Sequence, residues 1–269
     1  MAHVLGQGSH GTFYRAHEGD VPVFLKGYNS PSPRVAWYRA FLEHQQTIWE
    51  RIAASPAARF TYRAIAFFEH ERQYFQAVEH LEGLDVEAAL EQGLGSPSAR
   101  LIWTRVLTAG LAAFHDVGVV HCDLKPANLH LTPDPTIHAG HVLRIIDFDW
   151  AVRTDAPAPW HGSKDYVGTT NYASPEHLRG EVPGAASDVF TAALIVTELL
   201  LGIHPYRRET MGEYRDAVLA GAVDLNAIAG SGPMVERWRH YLPTLTATLD
   251  LDPTRRPSAR ELNDVLNGR

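Results

Sequence analysis

The stretch HCDLKPAN at residues 121–128, together with IIDFD at residues 145–149, decides the fold of this chain. The two stretches supply a carboxylate, a lysine, an amide and a second carboxylate at Asp123, Lys125, Asn128 and Asp147. Phosphoryl transfer needs a carboxylate to receive a hydroxyl proton, a cation to stabilise the phosphoryl group, and oxygen ligands for Mg²⁺. The order of these side chains therefore indicates phosphoryl-transfer chemistry.

A glycine pattern lies nearer to the start of the chain, at Gly6, Gly8 and Gly11. Because glycine has no side chain, backbone N–H groups at such positions can approach phosphate oxygens closely. A strand-like run rather than a helix follows these glycines, which disfavours a dinucleotide site and favours a glycine-rich flap over phosphates. Lys26 falls on the next strand-like run.

The rest of the chain divides into a strand-rich part and a helix-rich part. We predict strands at 13–14, 21–25, 64–68 and 74–78 with one helix among them, and helices at 86–92, 99–116, 186–202, 213–220, 235–249 and 259–266. This pattern predicts one α+β domain over residues 1–269. Residues 1–82 would form a small β-rich lobe and residues 83–269 a mainly helical lobe.

The composition restricts the class of protein. The 269 residues carry a formal net charge of −7 without a dense Lys/Arg run, which argues against a nucleic-acid partner and a polybasic membrane anchor. The single cysteine, Cys122, excludes an internal disulfide and disfavours a thiolate metal site. The apolar stretch 191–201 is too short to span a bilayer, and the first residues lack the regions of a signal peptide. We therefore expect a soluble, cytoplasmic protein that binds small molecules and proteins.

Over nearly its whole length the chain resembles eukaryotic-like serine/threonine protein kinases of the bacterial type. The stretch GTTNYASPE at 168–176 is similar to the end of a kinase activation segment, and DPTRRPS at 252–258 to the family's late arginine motif. The resemblance implies a bilobal protein-kinase-like fold and ATP with Mg²⁺, or Mn²⁺, as cofactors. It also implies a protein substrate with a Ser/Thr acceptor, and a buried ion pair between Glu176 and Arg256.

The resemblance implies a role for each matching residue. Asp123 would be the catalytic base, Lys125 would stabilise the phosphate, Thr169 would hold both of them, and Asn128 and Asp147 would bind Mg²⁺. The expected nucleotide contacts are Lys26 on the α- and β-phosphates, Gly6, Gly8 and Gly11 above them, the backbones of Glu79 and Leu81 at adenine, and Asp85 at the ribose.

Three positions depart from the family pattern. Cys122 replaces the arginine that docks an activation-loop phosphate, so we predict activity without loop phosphorylation. Asp149 replaces a glycine that helps the loop to change conformation, so we predict a loop held in one state. Gln45 stands at the helix position where an acidic partner of Lys26 is expected, which leaves two acidic candidates, Glu43 as the nearest and Glu50.

The expected adenine pocket departs as well. Phe13 and Phe24 occupy roof positions that are normally valine and alanine, and His130 occupies a floor position that is normally aliphatic. The two rings either stack on the base or fill its space, which would make a silent scaffold or a nucleotide-sensing module. A small-molecule kinase similar to antibiotic or choline phosphotransferases is a further alternative, disfavoured by the motifs at 168–176 and 252–258. Candidate autophosphorylation sites are Thr154, Ser163 and Thr170.

Overall fold

The computed structural model describes residues 2–7, 11–28, 36–160, 169–221 and 223–269. The N-terminal strands are β1 His3–Gln7, β2 Gly11–Glu18, β3 Val21–Tyr28, β4 Ala64–His70 and β5 Gln73–Glu79. They form an antiparallel sheet in the order β1-β2-β3-β5-β4. One helix, α1 Ala36–Ala53, lies between β3 and β4 in the chain.

One face of this sheet carries the side chains that surround a cavity. Phe24 and Lys26 lie on the same face of β3, because side chains two residues apart in a strand share a face. The register pairs Lys26 with Phe13 on β2 and with Gln76 on β5, and directly opposite residues also share a face. All four side chains line the cavity.

Helix α1 packs through one stripe of its surface. Phe41, Ile48, Trp49 and Ile52 recur at the spacing of one helical face and are buried. Gln45 lies on the same stripe and is 1% exposed. The helix therefore presents one buried amide along with its apolar side chains.

The C-terminal part is helical. Its described helices are α2 Val86–Glu91, α3 Pro97–Asp116, α4 Pro175–Arg179, α5 Ala185–Leu201, α6 Met211–Leu219, α7 Leu225–Ala229, α8 Pro233–Trp238, α9 Leu242–Thr248 and α10 Ala259–Leu266. Helix α5 is buried around most of its circumference, as is typical of a central helix, and α3 packs against both α5 and α10. None of the helices in the described ranges is long and apolar enough to cross a membrane.

Short strands bring two loops together. These strands are β6 Leu84–Asp85, β7 Val119–Val120, β8 Leu129–Pro133, β9 His141–Ile145 and β10 Val152–Arg153. β8 pairs with β9, and β7 pairs with β10. The loop at 121–128 joins β7 to β8 and the loop at 146–151 joins β9 to β10, so the two loops lie side by side.

This arrangement confirms the bilobal α+β fold that the sequence predicts. The sheet's last residue in the chain is Glu79, and α2 begins at Val86. The predicted division between residues 82 and 83 falls within that connection and stays a prediction.

Candidate active site

Three side chains form a hydrogen-bonded triangle at the loop between β7 and β8. Thr169 Oγ1 donates to Asp123 Oδ1 at 2.7 Å, and Lys125 Nζ donates to Asp123 Oδ2 at 3.0 Å and to Thr169 Oγ1 at 3.1 Å. Asn128, at the end of a 3₁₀ turn, donates from Nδ2 to the backbone oxygen of Asp123 at 2.8 Å. Both carboxylate oxygens of Asp123 are thereby held in place beside a lysine.

A buried carboxylate from α5 supports the backbone of this loop. Asp188 accepts from the N–H groups of His121 at 2.8 Å and Cys122 at 2.9 Å, and its Oδ2 lies 2.9 Å from His115 Nε2. Burial alone would raise the pKa of Asp188, but the contact with His115 holds that pKa below its usual range. Cys122 has φ 66°, a left-handed conformation that costs a non-glycine residue about 1 kcal/mol. The ionised Asp188 stabilises that strained backbone.

The loop between β9 and β10 is held by an aromatic side chain. Phe148 is 1% exposed and packs edge-on against Trp49 of α1 at 5.2 Å and Phe114 of α3 at 5.0 Å. The preceding residue, Asp147, has φ 64° and lines the cavity with its side chain 37% exposed. Packing of Phe148 between two helices thus leaves the neighbouring carboxylate open to the cavity.

Lys26 pairs with two carboxylates of this loop. Its Nζ lies 2.9 Å from Asp147 Oδ1 and 2.5 Å from Asp149 Oδ2. Burial by itself lowers the pKa of Lys26, but the charges of Asp149 and then Asp147 raise it well above its usual range. Burial raises the pKa of Asp147, and the Lys26 ammonium more than offsets this and holds the pKa below the usual range. Lys26 is therefore a permanent cation at the cavity wall.

The structure does not bring Glu43 to Lys26, which corrects that expectation. Glu43 is exposed and borders a groove between α1 and β4, and Glu50 is exposed as well. Residues two apart on an α-helix point roughly 200° apart. Because Gln45 faces inward, Glu43 faces away from the sheet's cavity.

A cavity of about 380 Å³ lies on the inner face of the sheet. Its volume falls in the range of small-molecule sites. Phe13 and Phe24 both line the cavity and form its aromatic wall, and their rings stack with centroids 5.7 Å apart and planes 27° apart. His130, Asn128 and Asp147 contribute to the lining too. Both phenylalanine rings line this cavity, which is the open volume beside them.

The segment after β5 forms one edge of the cavity. Glu79 and Leu81 line it, and the Glu79 side chain accepts from the N–H of Arg63 at 2.8 Å. On β8, His130 Nε2 lies 3.0 Å from the backbone oxygen of Glu82. Burial lowers the pKa of His130, so a neutral ring borders the cavity at pH 7.

The other residues expected to contact the nucleotide, the three glycines and Asp85, differ in their surroundings. A Cβ on Gly11 would lie 2.8 Å from the backbone oxygen of Gly27, so the pairing of β2 with β3 requires glycine there. A Cβ on Gly6 would meet nothing within 4 Å, whereas Gly8 lies outside the described residues. Asp85 caps α2 by accepting a backbone N–H at 2.8 Å and is not among the described residues that line the cavity.

The predicted ion pair between Glu176 and Arg256 is confirmed. Arg256 donates to both oxygens of Glu176, at 2.7 and 3.0 Å, with side chains 0% and 6% exposed. Ser187 adds a hydrogen bond to Glu176 at 2.8 Å. The pair links α4 to the segment before α10.

Sequence reasoning misses the roles of Asp149 and Asp188. In the sequence, Asp149 is noticed only as a replacement of the family's glycine. The signal that could have revealed its role is that a carboxylate is gained at position 149 while the expected one is missing at Gln45. Asp188 gives no local signal, because the backbone that it holds at Cys122 lies 66 residues away in the chain.

Comparisons with known proteins agree with this geometry. The family model described as "Protein kinase domain" matches residues 1–265. The chain is 27% identical to serine/threonine-protein kinase PkaB of Streptomyces coelicolor, over 97% of this chain and 60% of that protein. It is 32% identical to serine/threonine-protein kinase PknL of Mycobacterium tuberculosis, over 75% of this chain and 49% of that protein. This chain thus spans about half the length of these curated relatives.

Proposed function

This chain belongs to the protein kinase domain family, and on that premise we propose that it transfers the γ-phosphate of ATP to a serine or threonine hydroxyl of a protein. The observation that carries the proposal is the triangle of Asp123, Lys125 and Thr169. The two relatives named above are both serine/threonine-protein kinases, which favours an aliphatic acceptor hydroxyl.

Within this proposal, Asp123 orients the acceptor hydroxyl and receives its proton. Its Oδ1 accepts from Thr169 and its Oδ2 accepts from Lys125 and Asn128, which fixes the carboxylate, and Oδ1 keeps a lone pair for a further donor. Lys125 and Lys26 place positive charge on two sides of the position of the transferring group. Charges that are fixed before the reaction stabilise the transition state without reorganisation.

The residues present fit a magnesium ion. Asp147 is 37% exposed at the cavity, and Asn128 uses its amide nitrogen for the contacts with Asp123, which leaves its oxygen as the ligand. Carboxylate and amide oxygens are ligands that Mg²⁺ prefers, with phosphates completing the coordination. The described ranges contain no group of three or more His, Cys, Asp or Glu side chains that could hold a metal ion. When bound, the ion would neutralise charge on the phosphate oxygens.

We propose that the aromatic wall of Phe13 and Phe24 stacks on the adenine. Aromatic rings bind bases through their faces, and both rings line the cavity. Glu79 and Leu81 at the cavity edge would supply backbone groups to the base.

Activity without phosphorylation of the activation segment is part of the same proposal. Cys122 is 6% exposed in an apolar cluster with Val152, Ala158 and Trp160, so apolar packing occupies the place of a phosphate-docking arginine. Trp160 also packs on Phe41 of α1 at 5.9 Å. Because these contacts already connect residues 150–160 to α1, a phosphate is not needed to hold that part of the segment.

Labelled γ-phosphate transfer with Mg²⁺, to the protein itself and to a generic basic protein, tests the proposed function. Wild type is expected to incorporate label and Asp123→Asn to incorporate none at an unchanged melting temperature. Protein treated with a phosphatase, which is removed before the assay, should start at the same rate. Mass spectrometry should place any self-modification on the candidates; Thr154 is exposed, Thr170 is half-buried and Ser163 lies outside the described residues.

An increase in melting temperature with ATP but no transfer would contradict the proposal. That outcome would favour a catalytically silent nucleotide-sensing module, for which the aromatic wall at Phe13 and Phe24 is the relevant observation. A lag in the phosphatase-treated sample, removed by preincubation with ATP, would contradict only the independence from loop phosphorylation.

A further inference from the structure

We propose that Asp149 is the positioning residue for Lys26, in the place of the helix glutamate that the family uses, and that Gln45 holds Asp149 for this purpose. The inference rests on the proposed function, since Lys26 matters through its contact with phosphates. The carboxylate gained at Asp149 would thus compensate for the one that is missing at Gln45.

The two carboxylates beside Lys26 have different surroundings. Asp149 lies 2.5 Å from Lys26 Nζ with its side chain 8% exposed, whereas Asp147 lies at 2.9 Å with its side chain 37% exposed. The exposed carboxylate of Asp147 is available to a metal ion and phosphates. The enclosed carboxylate of Asp149 is available only to the protein, so it can hold Lys26 while Asp147 serves the ligand.

Both side-chain oxygens of Asp149 have protein contacts. Oδ2 pairs with Lys26, and Oδ1 accepts from the hydroxyl of Tyr28 at 3.3 Å. Tyr28 is 3% exposed, and its hydroxyl oxygen also lies 3.4 Å from Gln76 Oε1. Lys26 and Tyr28 lie on the same face of β3, so this strand fixes the carboxylate from two positions.

A hydrogen bond to the loop explains why α1 carries an amide instead of a carboxylate at position 45. Its Nε2 donates to the backbone oxygen of Asp149 at 2.8 Å, and the side chain is 1% exposed. An ionised glutamate has no N–H to donate, so it would face that carbonyl oxygen unpaired. The amide at position 45 therefore suits the backbone of residue 149 and holds that residue beside α1.

The backbone at position 149 does not require glycine in this structure. The described non-glycine residues with positive φ include Asp147 but not Asp149. A side chain at 149 is therefore accommodated without left-handed strain. The neighbouring segment is held to α1 again by His44, whose Nε2 lies 3.0 Å from the backbone oxygen of Ala151.

The test moves the carboxylate between the loop and the helix. Asp149→Asn removes the charge and keeps the shape, Gln45→Glu adds a carboxylate on α1, and the double variant transfers the charge from residue 149 to α1. ATP and adenosine affinities are measured by calorimetry, and kcat and KM for ATP by labelled transfer. The matched control is Glu236→Gln, which neutralises an exposed carboxylate on α8 that pairs with Arg239.

We expect Asp149→Asn to weaken ATP binding and lower kcat/KM by about ten-fold or more while adenosine binding stays unchanged, because misplacing Lys26 affects only the phosphates. Gln45→Glu alone should also lose activity. The double variant should recover at least part of the loss, which a purely structural role for either residue does not produce.

Two outcomes would overturn the inference. One is an Asp149→Asn variant whose ATP affinity and kcat/KM stay close to those of wild type; the other is an equal loss of ATP and adenosine affinity without recovery in the double variant. The calorimetric comparison does not depend on phosphate transfer. If wild type binds ATP but transfers nothing, the proposed function fails while the positioning of Lys26 is still decided by the affinities.

Discussion

Single residues form the cavity wall on which we propose that a base stacks. Phe24 replaces a small side chain on β3 and stacks on Phe13 at 5.7 Å. We predict that Phe24→Ala weakens ATP binding roughly 2- to 10-fold, because an aromatic contact contributes about 0.5–1.5 kcal/mol beyond its buried area. Isothermal calorimetry with ATP measures this change.

The matched control for Phe24→Ala is Phe68→Ala. Phe68 lies on β4, is 38% exposed and borders the groove beside α1 rather than the cavity. Its removal should leave ATP affinity unchanged. Tighter ATP binding by Phe24→Ala would show that the ring obstructs the base, and would count against stacking.

At this scale, prediction from sequence succeeds where the chemistry is local. Asp123, Lys125 and Asn128 lie within one loop, so their spacing alone indicates that they meet. The partner of Lys26 cannot be predicted in the same way. Asp149 lies 123 positions later in the chain, and the two residues meet only because the fold places β3 beside the loop that follows β9. Helix spacing indicates position 45, which is a glutamine, and the nearest acid, Glu43, is turned outward by the orientation of α1.

Elements depend on one another through aromatic contacts between α1 and the segment after β10. Trp160 is 4% exposed and packs on Phe41 at 5.9 Å and on His44 at 5.2 Å. We predict that Trp160→Ala lowers kcat/KM and increases amide hydrogen exchange in residues 150–160, because α1 and the segment lose their common packing.

Trp238→Ala is the control for this element-scale prediction. Trp238 is also buried, at 6% exposed, but lies on α8. Both variants should lower the melting temperature, since truncating a buried tryptophan costs about 3–5 kcal/mol. Only Trp160→Ala should change kcat/KM at a temperature where both remain folded; equal kinetics for the two would contradict the prediction.

Element boundaries show where apolar periodicity is insufficient. The pattern at 235–249 predicts one helix, but the structure has α8 and α9 separated by a 3₁₀ turn, Arg239–Tyr241. Pro243 explains the difference, because proline lacks an N–H and clashes with the carbonyl four residues before it. The short helices α4 and α7 carry too few turns for periodicity to detect them.

The stability of the whole molecule depends on the buried pair of Glu176 and Arg256. Arg256 is fully buried and donates to both carboxylate oxygens. We predict that Glu176→Gln lowers the free energy of unfolding by about 3–5 kcal/mol, because it leaves a buried guanidinium without its counter-charge. Urea unfolding followed by circular dichroism measures the loss, and Glu236→Gln, in an exposed pair, should not change it.

Lowering the pH should destabilise the fold by protonating buried histidines. His204 Nε2 lies 2.7 Å from the backbone oxygen of Asn171, and its Nδ1 accepts from the N–H of Tyr206 at 3.2 Å. A neutral ring with its proton on Nε2 satisfies both contacts, whereas a second proton would oppose the N–H of Tyr206. Burial lowers the pKa of His204 to about 4, against the attraction of Glu198.

We therefore predict that the free energy of unfolding falls as the pH falls from about 6.5 to about 4. The pKa of His204 is near 6.5 in the unfolded chain and about 4 in the folded protein, so within this window the unfolded state binds more protons. His204→Gln removes this titration, and its urea-unfolding free energy should lose about 1–3 kcal/mol less than that of wild type across the window.

His130 and His177, whose pKa values burial also lowers, leave the variant with a smaller dependence of its unfolding free energy on pH. His70→Gln, at an exposed ring, should follow wild type. Parallel curves for wild type and His204→Gln would show that the ring is already protonated, or free to leave its contacts, in the folded protein.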